Sequence, residues 1–423
     1  MASATAKYAS AANVVTGTPA SDFVDVCAID ASEFEANKTY LILATANATI
    51  ASSANEVLMR LMLGAAAFDD GSLAYEINNT VQKTNFGWMY VITQGGTPET
   101  VKLQLASAST QQATCQVASI FALKLSDDFT EGEDWFYDES SSDVLNYSST
   151  TPATIASITF TPSAPDTYLI ISNAMVRGLS SSDNYAVDLY DEAAASQLVK
   201  LSIEGEDTSN EKRGHLMMNA FLMFPSSKTF SLRYYMDELG GNLDVYRGAV
   251  FALRLGKFAK SGSARNALGI TPDASPTWTP ALTLNPSATV GDWFYYGYTT
   301  YVPADVSNSL AMRLRVNPDG GGAQTYPSGY DESAPGLDGW DNSDMLPENA
   351  FALVPITGGA GQSTLEVSAL AGTTLSVKER TLIAFSLELA GGTPPPTGQP
   401  MQLRALNVPH FRQWQPRGLR GSF

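Results

Sequence analysis

Polar and apolar residues alternate with period two along VKLQLAS (Val101–Ser107) and FSLRYYM (230–236). That is the pattern of a strand with one face on a core and the other toward water. Two other stretches, IFALKL (120–125) and VFALRL (250–255), are apolar almost throughout, as expected of a strand buried in a sandwich. They are nearly one strand written twice, and 130 residues separate Ile120 from Val250. Solenoid units repeat every 20–50 residues or so. The longer spacing predicts a whole domain copied in tandem.

The segments before each copy recur in the same order. TYLILATANATI (Thr39–Ile50), VLMRLML (57–63), GWMYVITQ (87–94) and TVKLQLASAS (100–109) precede the first copy. TYLIISNAMV (167–176), YAVDLYD (185–191), LMMNAFLMF (216–224) and KTFSLRYYMD (228–237) precede the second. A third, more diverged set follows: DWFYYGYTTYV (292–302), LAMRLRV (310–316), NAFALVPI (349–356), STLEVSAL (363–370) and TLIAFSLEL (381–389). Tyr40, Tyr168 and Trp293 stand in equivalent places, 128 and then 125 residues apart. Gly-rich turns such as QGGTP (94–98), ELGGN (238–242) and GGAGQ (358–362) punctuate the strands.

These patterns predict an all-β chain of three tandem antiparallel β-sandwich, jelly-roll-like domains with extended terminal arms. SSANEV and AAASQLV allow single helical turns at most. The expected division is an arm at 1–22, sandwiches at 23–128, 144–260 and 277–392, and linkers at 129–143 and 261–276. An acidic loop, 317–348, reads as an insertion in the third sandwich, and 393–423 reads as a basic, Pro-rich arm. Each sandwich is long enough to bury a core and fold alone. Phe121, Phe251 and Phe385 are expected at equivalent interior positions. Trp135, Phe136 and Tyr137 lie inside an otherwise acidic linker, either anchoring it to a domain or touching another chain.

Charge sharpens the picture of the ends. The net charge is −18, yet residues 393–423 hold four arginines and no acid. An acidic body repels nucleic acid, so no direct nucleic-acid partner is expected. No apolar run is long enough to span a membrane, and the first residues do not read as a secretory signal. In the tail, prolines oppose helix while Leu403, Phe411, Trp414 and Phe423 are too apolar for an inert linker. Arg404, Arg412, Arg417 and Arg420 would meet carboxylates around such anchors. The segment is expected to order on another surface.

Candidate chemistry is sparse. There are two histidines, His215 and His410, and two cysteines, Cys27 and Cys115, each cysteine in an apolar stretch that suits a buried free thiol. No nucleophile–base set, P-loop, zinc motif or acid pair recurs between copies, so no cofactor and no enzymatic activity are expected. Asp188 and Asp191, three apart on a strand, face opposite sides. Asp319, Asp331, Glu332, Asp338, Asp341 and Asp344 supply hard oxygens for calcium, without the order of an EF-hand. Tyr326, Tyr330 and Trp340 in the same loop could form a glycan shelf, which keeps a carbohydrate-binding adhesin open as an alternative.

Through its paired TYLIL/TYLII and IFALKL/VFALRL strands and its extended ends, the chain resembles structural proteins of tailed-phage virions: head decoration, head fibre or tail-associated proteins. The resemblance implies a noncatalytic role in the virion, with copies of itself and other virion chains as partners. It assigns no residue.

Overall fold

The computed structural model describes residues 3–390 except 17–22, 51–54, 69–72, 78–83, 108–111, 141, 162–165, 179–183, 205–213, 225–226, 238–240, 275–276, 303–308, 334–345, 360 and 372–374. The fold is all-β: among the described residues, apart from two single 3-10 turns, the elements are strands paired antiparallel. No described helix is long and apolar enough to cross a membrane. AAASQLV holds an ordinary turn leading into a strand, not a helical one.

Each of the three domains contains eight principal strands. The first has β1 (Ala6–Val15), β2 (Val24–Ile29), β3 (Thr39–Ile50), β4 (Asn55–Leu63), β5 (Leu73–Ile77), β6 (Thr84–Thr93), β7 (Val101–Ser107) and β8 (Ala113–Lys124). The second has β9 (Trp135–Glu139), β10 (Ala153–Phe160), β11 (Asp166–Gly178), β12 (Asn184–Asp191), β13 (Ser196–Glu204), β14 (Gly214–Phe224), β15 (Lys228–Met236) and β16 (Leu243–Arg254). The third has β17 (Ser261–Asn266), β18 (Thr279–Leu284), β19 (Gly291–Val302), β20 (Ser309–Val316), β21 (Gln324–Ser333), β22 (Leu346–Ile356), β23 (Ser363–Ala371) and β24 (Ser376–Ser386). Two short strands, Ala66–Ala67 and Val144–Tyr147, add to the edges of β4 and β16.

Strand order is identical in the three. The first, eighth, third and sixth strands form one sheet: β1-β8-β3-β6, β9-β16-β11-β14 and β17-β24-β19-β22. The second, seventh, fourth and fifth form the other: β2-β7-β4-β5, β10-β15-β12-β13 and β18-β23-β20-β21. Eight strands in these two interleaved orders make a jelly roll.

Several sequence boundaries change. The arm at 1–22 and the linkers at 129–143 and 261–276 contain β1, β9 and β17, the first strand of each jelly roll. The loop at 317–348 is no insertion either, because it contains β21, the counterpart of β5 and β13. All are edge strands with one ladder partner, so their half-exposed residues carry little apolar periodicity.

The continuous apolar runs also have a different cause from the one expected. On β8, Ile120 and Ala122 point into the sandwich, while Phe121 and Leu123 join a second cluster. Val250 and Ala252 of β16 likewise face inward, whereas Phe251 and Leu253 enter that second cluster. On β24, Leu382 and Ala384 face inward and Ile383 and Phe385 do not. The second cluster is one buried core shared by all three domains, built from the other face of each first sheet. Phe121, Phe251 and Phe385 are interior and equivalent, but between domains. Residues 1–390 form one compact unit, in which the three domains share this core.

Candidate functional site

Two features recur in the three copies beyond the cores of the sandwiches. The first is the three-way core. Phe294 packs 4.2 Å from Phe121 and 5.0 Å from Phe385, ring centroid to centroid, and Phe258 stacks on Phe385 at 4.2 Å. Trp135 lies against Phe251 at 6.4 Å. The aromatic trio is thus built in: Trp135 is buried in the shared core, Phe136 stacks on Phe160 at 4.3 Å, and Tyr137 packs against the core half-buried.

The joints between domains reach the same core. Between the first and second, Asp134 is almost fully buried and takes Lys257 Nζ at 3.0 Å and the Thr130 amide at 3.0 Å. Between the second and third, the turn Leu255–Lys257 delivers Phe258. A third joint returns from the third domain to the first: the Ala4 amide donates to the Leu387 carbonyl at 2.6 Å, beside a bridge between Ser3 and Glu388.

The second recurrent feature is one rung of each outer sheet. Its members are Arg60 opposite Gln104, Asp188 opposite Arg233, and Arg313 opposite Glu366. In the first domain Arg60 Nε donates to Gln104 Oε1 at 2.8 Å, and Gln104 donates on to Asp25 at 2.6 Å. In the second, Arg233 holds Asp188 through Nε and Nη2 at 2.8 and 2.7 Å, and Gln197 adds a bond at 2.9 Å. In the third, Arg313 Nε and Nη2 both reach Glu366 at 2.6 Å.

Each guanidinium lies over an aromatic ring: Phe23 at 3.6 Å, Tyr190 at 3.3 Å and Trp278 at 4.1 Å. Stacking of this kind adds about 0.5–2 kcal/mol, more as water is excluded. Burial pushes the Asp25 carboxyl up, but bonds from Gln104 and Lys102, with Arg60 nearby, outweigh it and hold it below its ordinary value. All three rungs bond an arginine across the sheet, with the charges reversed between the second and third and with neutral Gln104 relaying Arg60 to Asp25 in the first. They hold strands in register and present no reactive group.

The residues singled out in the sequence are placed as follows. Tyr326 is half-buried against the sandwich core and donates to Gln324 Oε1 at 3.2 Å. Its phenol is pushed up by burial and by Asp319. One face of Tyr326 is thus taken by packing. Tyr330 falls in β21 with its side chain outside the described residues, as are Trp340 and Arg404, Phe411, Arg412, Trp414, Arg417, Arg420 and Phe423.

Asp319 Oδ1 accepts the Gly321 amide at 2.8 Å and so caps its own turn. Among the described residues no three His, Cys, Asp or Glu side chains gather to hold a metal. Asp188 and Asp191 do face different sides, Asp191 pairing with Lys228 at 2.6 Å. Cys27 and Cys115 are buried and form no disulfide, and burial raises the Cys27 thiol to about 12. A thiol so placed is inert. The rungs and the three-way core were missed in the sequence. The opposite charge order at 188/233 and 313/366 was the available signal for the rungs.

Fold and joints together define the chain as a triple jelly roll. No protein-family model matches it, and no curated protein sequence does. Among solved structures, an archaeal-virus protein described by its triple jelly roll fold and turret assembly is 10% identical, covering 89% of this chain and 91% of its own, with a TM-score of 0.18. The major capsid protein P2 of bacteriophage PM2 is 10% identical over 59% of this chain and 97% of its own, TM-score 0.22. Eiger TNF from S. frugiperda is 11% identical over 29% and 94%, TM-score 0.23. Likenesses this faint add nothing to what the strand order already establishes.

Proposed function

We propose that this protein is a structural component of a virus particle: a noncatalytic block that docks to copies of itself and to other particle proteins. The observation that carries the reading is the three-way core. Three jelly rolls spend one face of each first sheet on one another, which makes a stiff unit from one chain, and what recurs among the copies is packing and register. Under this reading the basic tail, with Phe411 and Trp414 as anchors and its arginines at the rim, docks the block to acidic surface on a neighbour. A tailed-phage head or tail is the setting suggested by the chain's resemblance.

The test is deletion of residues 393–423, followed by thermal melting and by sedimentation and electron microscopy of assembly. Melting should stay unchanged while assembly is lost. A protein that stays monomeric at every concentration and binds glycans on an array would overturn the reading in favour of an adhesin.

A further inference from the structure

The three joints occupy corresponding places but are made differently. Covalent chain carries the first and second, through Phe129–Trp135 and through Leu255–Phe258. At the third no covalent chain runs across: Ser3 and Ala4 are held to Leu387 and Glu388 by main-chain pairing and by Ala4, a single small side chain buried in the shared core.

Strand β1, which follows directly, is held in the same manner. None of its ten residues is buried. Its ladder on β8 runs from Ala6 opposite Leu123 to Val15 opposite Thr114. Tyr8 is its one large anchor, with its hydroxyl 3.1 Å from Ser119 Oγ in its own domain and 3.5 Å from the Phe351 carbonyl in the third. Lys7 adds an exposed bridge to Glu33 at 2.6 Å.

From this we infer that residues 3–15 are an exchangeable strand, which leaves its seat on β8 and the Leu387–Glu388 corner and takes the same seat in a second copy of this chain. The attachment is the main-chain ladder with small side chains and Tyr8 against the two cores, and an identical segment from another copy reproduces every one of these contacts. Exchange of an identical element therefore changes few interaction energies and links copies without a new surface. The seat cannot stay empty, because withdrawing β1 bares one edge of β8 and the flank of Phe121 and Leu123. The occupant is a second copy because the seat fits this sequence: small residues at Ala6, Ala9, Ala11 and Ala12, with one tyrosine. Asn13, in the left-handed region at φ 56°, breaks the regular ladder near the strand's end. Such an irregularity discourages further strands from adding beyond β1. The inference stands apart from the virion reading, since exchange requires only copies of the chain.

The rung Ala12–Val117 provides the test. Paired Cα atoms in an antiparallel ladder lie within reach of a disulfide. With both native cysteines replaced (C27A, C115A), an A12C chain and a V117C chain are unfolded and refolded together at high concentration, then oxidised. Exchange yields a covalent species of twice the 45.1 kDa chain mass containing one of each variant. The A12C/V117C double variant, refolded when dilute, should close its disulfide within one chain. If it does so while the mixture gives no mixed dimer, exchange is excluded. If the double variant fails to close, the seat itself is wrong and the inference falls with it. Size-exclusion chromatography of the native chain provides a check free of substitutions: deletion of residues 1–15 should abolish its dimer fraction, and a dimer that persists unchanged contradicts the exchange.

Discussion

Phe251 is fully buried in the cluster to which all three domains contribute. Phe251→Ala should cost about 3–5 kcal/mol, the sum of lost transfer energy and a cavity the surroundings cannot fill. Denaturant midpoints measure it, and a loss under about 1 kcal/mol, the scale of an ordinary substitution, would show that the shared core is loose. Asp25 makes a different, pH-linked prediction. Its folded pKa is depressed, so its contribution is present above the unfolded value of about 3.9 and disappears as pH falls through the folded value. The melting-temperature gap between the native chain and Asp25→Asn should therefore be open at pH 6 and narrow as the pH is taken below about 3.9. A gap that persists at low pH would mean that the carboxylate's charge is irrelevant. The pair is half exposed, so the gap is small.

At the scale of an element, the rung between β12 and β15 has a partner design inside the same chain. Asp188 has no exposed surface, and Asp188→Ala leaves Arg233 without its acid, at a cost of about 3 kcal/mol. The third domain carries the reverse order, Arg on the fourth strand and Glu on the seventh. The double change Asp188→Arg with Arg233→Glu should thus recover much of what Asp188→Arg alone loses. A double-mutant cycle with no coupling would sink the claim that the rungs are one design. These elements also show what was legible. Strands with two ladder partners, such as β3, β8, β11 and β19, were readable because burial on one or both faces writes an apolar pattern. The edges β1, β9, β17 and β21 were not, because half-exposed residues such as those of SGSARN obey no strict alternation. IFALKL announced a buried strand but not that its two faces serve different cores. Period two separates faces without naming their partners. Of the candidate site residues, Tyr326 was legible as an aromatic of the loop, and the ladder adds that it pairs with Leu314 and rests half-buried against the sandwich core.

For the whole molecule, the shared core predicts one cooperative transition over residues 1–390 and failure of the parts. A fragment ending near residue 128 exposes Leu41, Leu43, Met89, Phe121 and Leu123 together. Exposed apolar patches of that kind drive association. Such a fragment should aggregate or bind a hydrophobic dye, and calorimetry of the intact chain should show one transition for the three jelly rolls. A soluble, monomeric first domain that melts cooperatively on its own would refute the shared core as a stabilising element.

The third joint has a consequence for counting. Repeats that stack in a line can be lengthened, since every new unit finds the same exposed end as the one before it. Here the end of the third jelly roll, at Leu387 and Glu388, is already taken by Ser3 and Ala4 of the first. A fourth copy inserted in the gene would find no vacant place in the circuit, and a chain with one copy removed would leave a gap that nothing in it fills. The number three is therefore a property of the closure, and duplication can change the loops of this protein far more easily than its tally of domains.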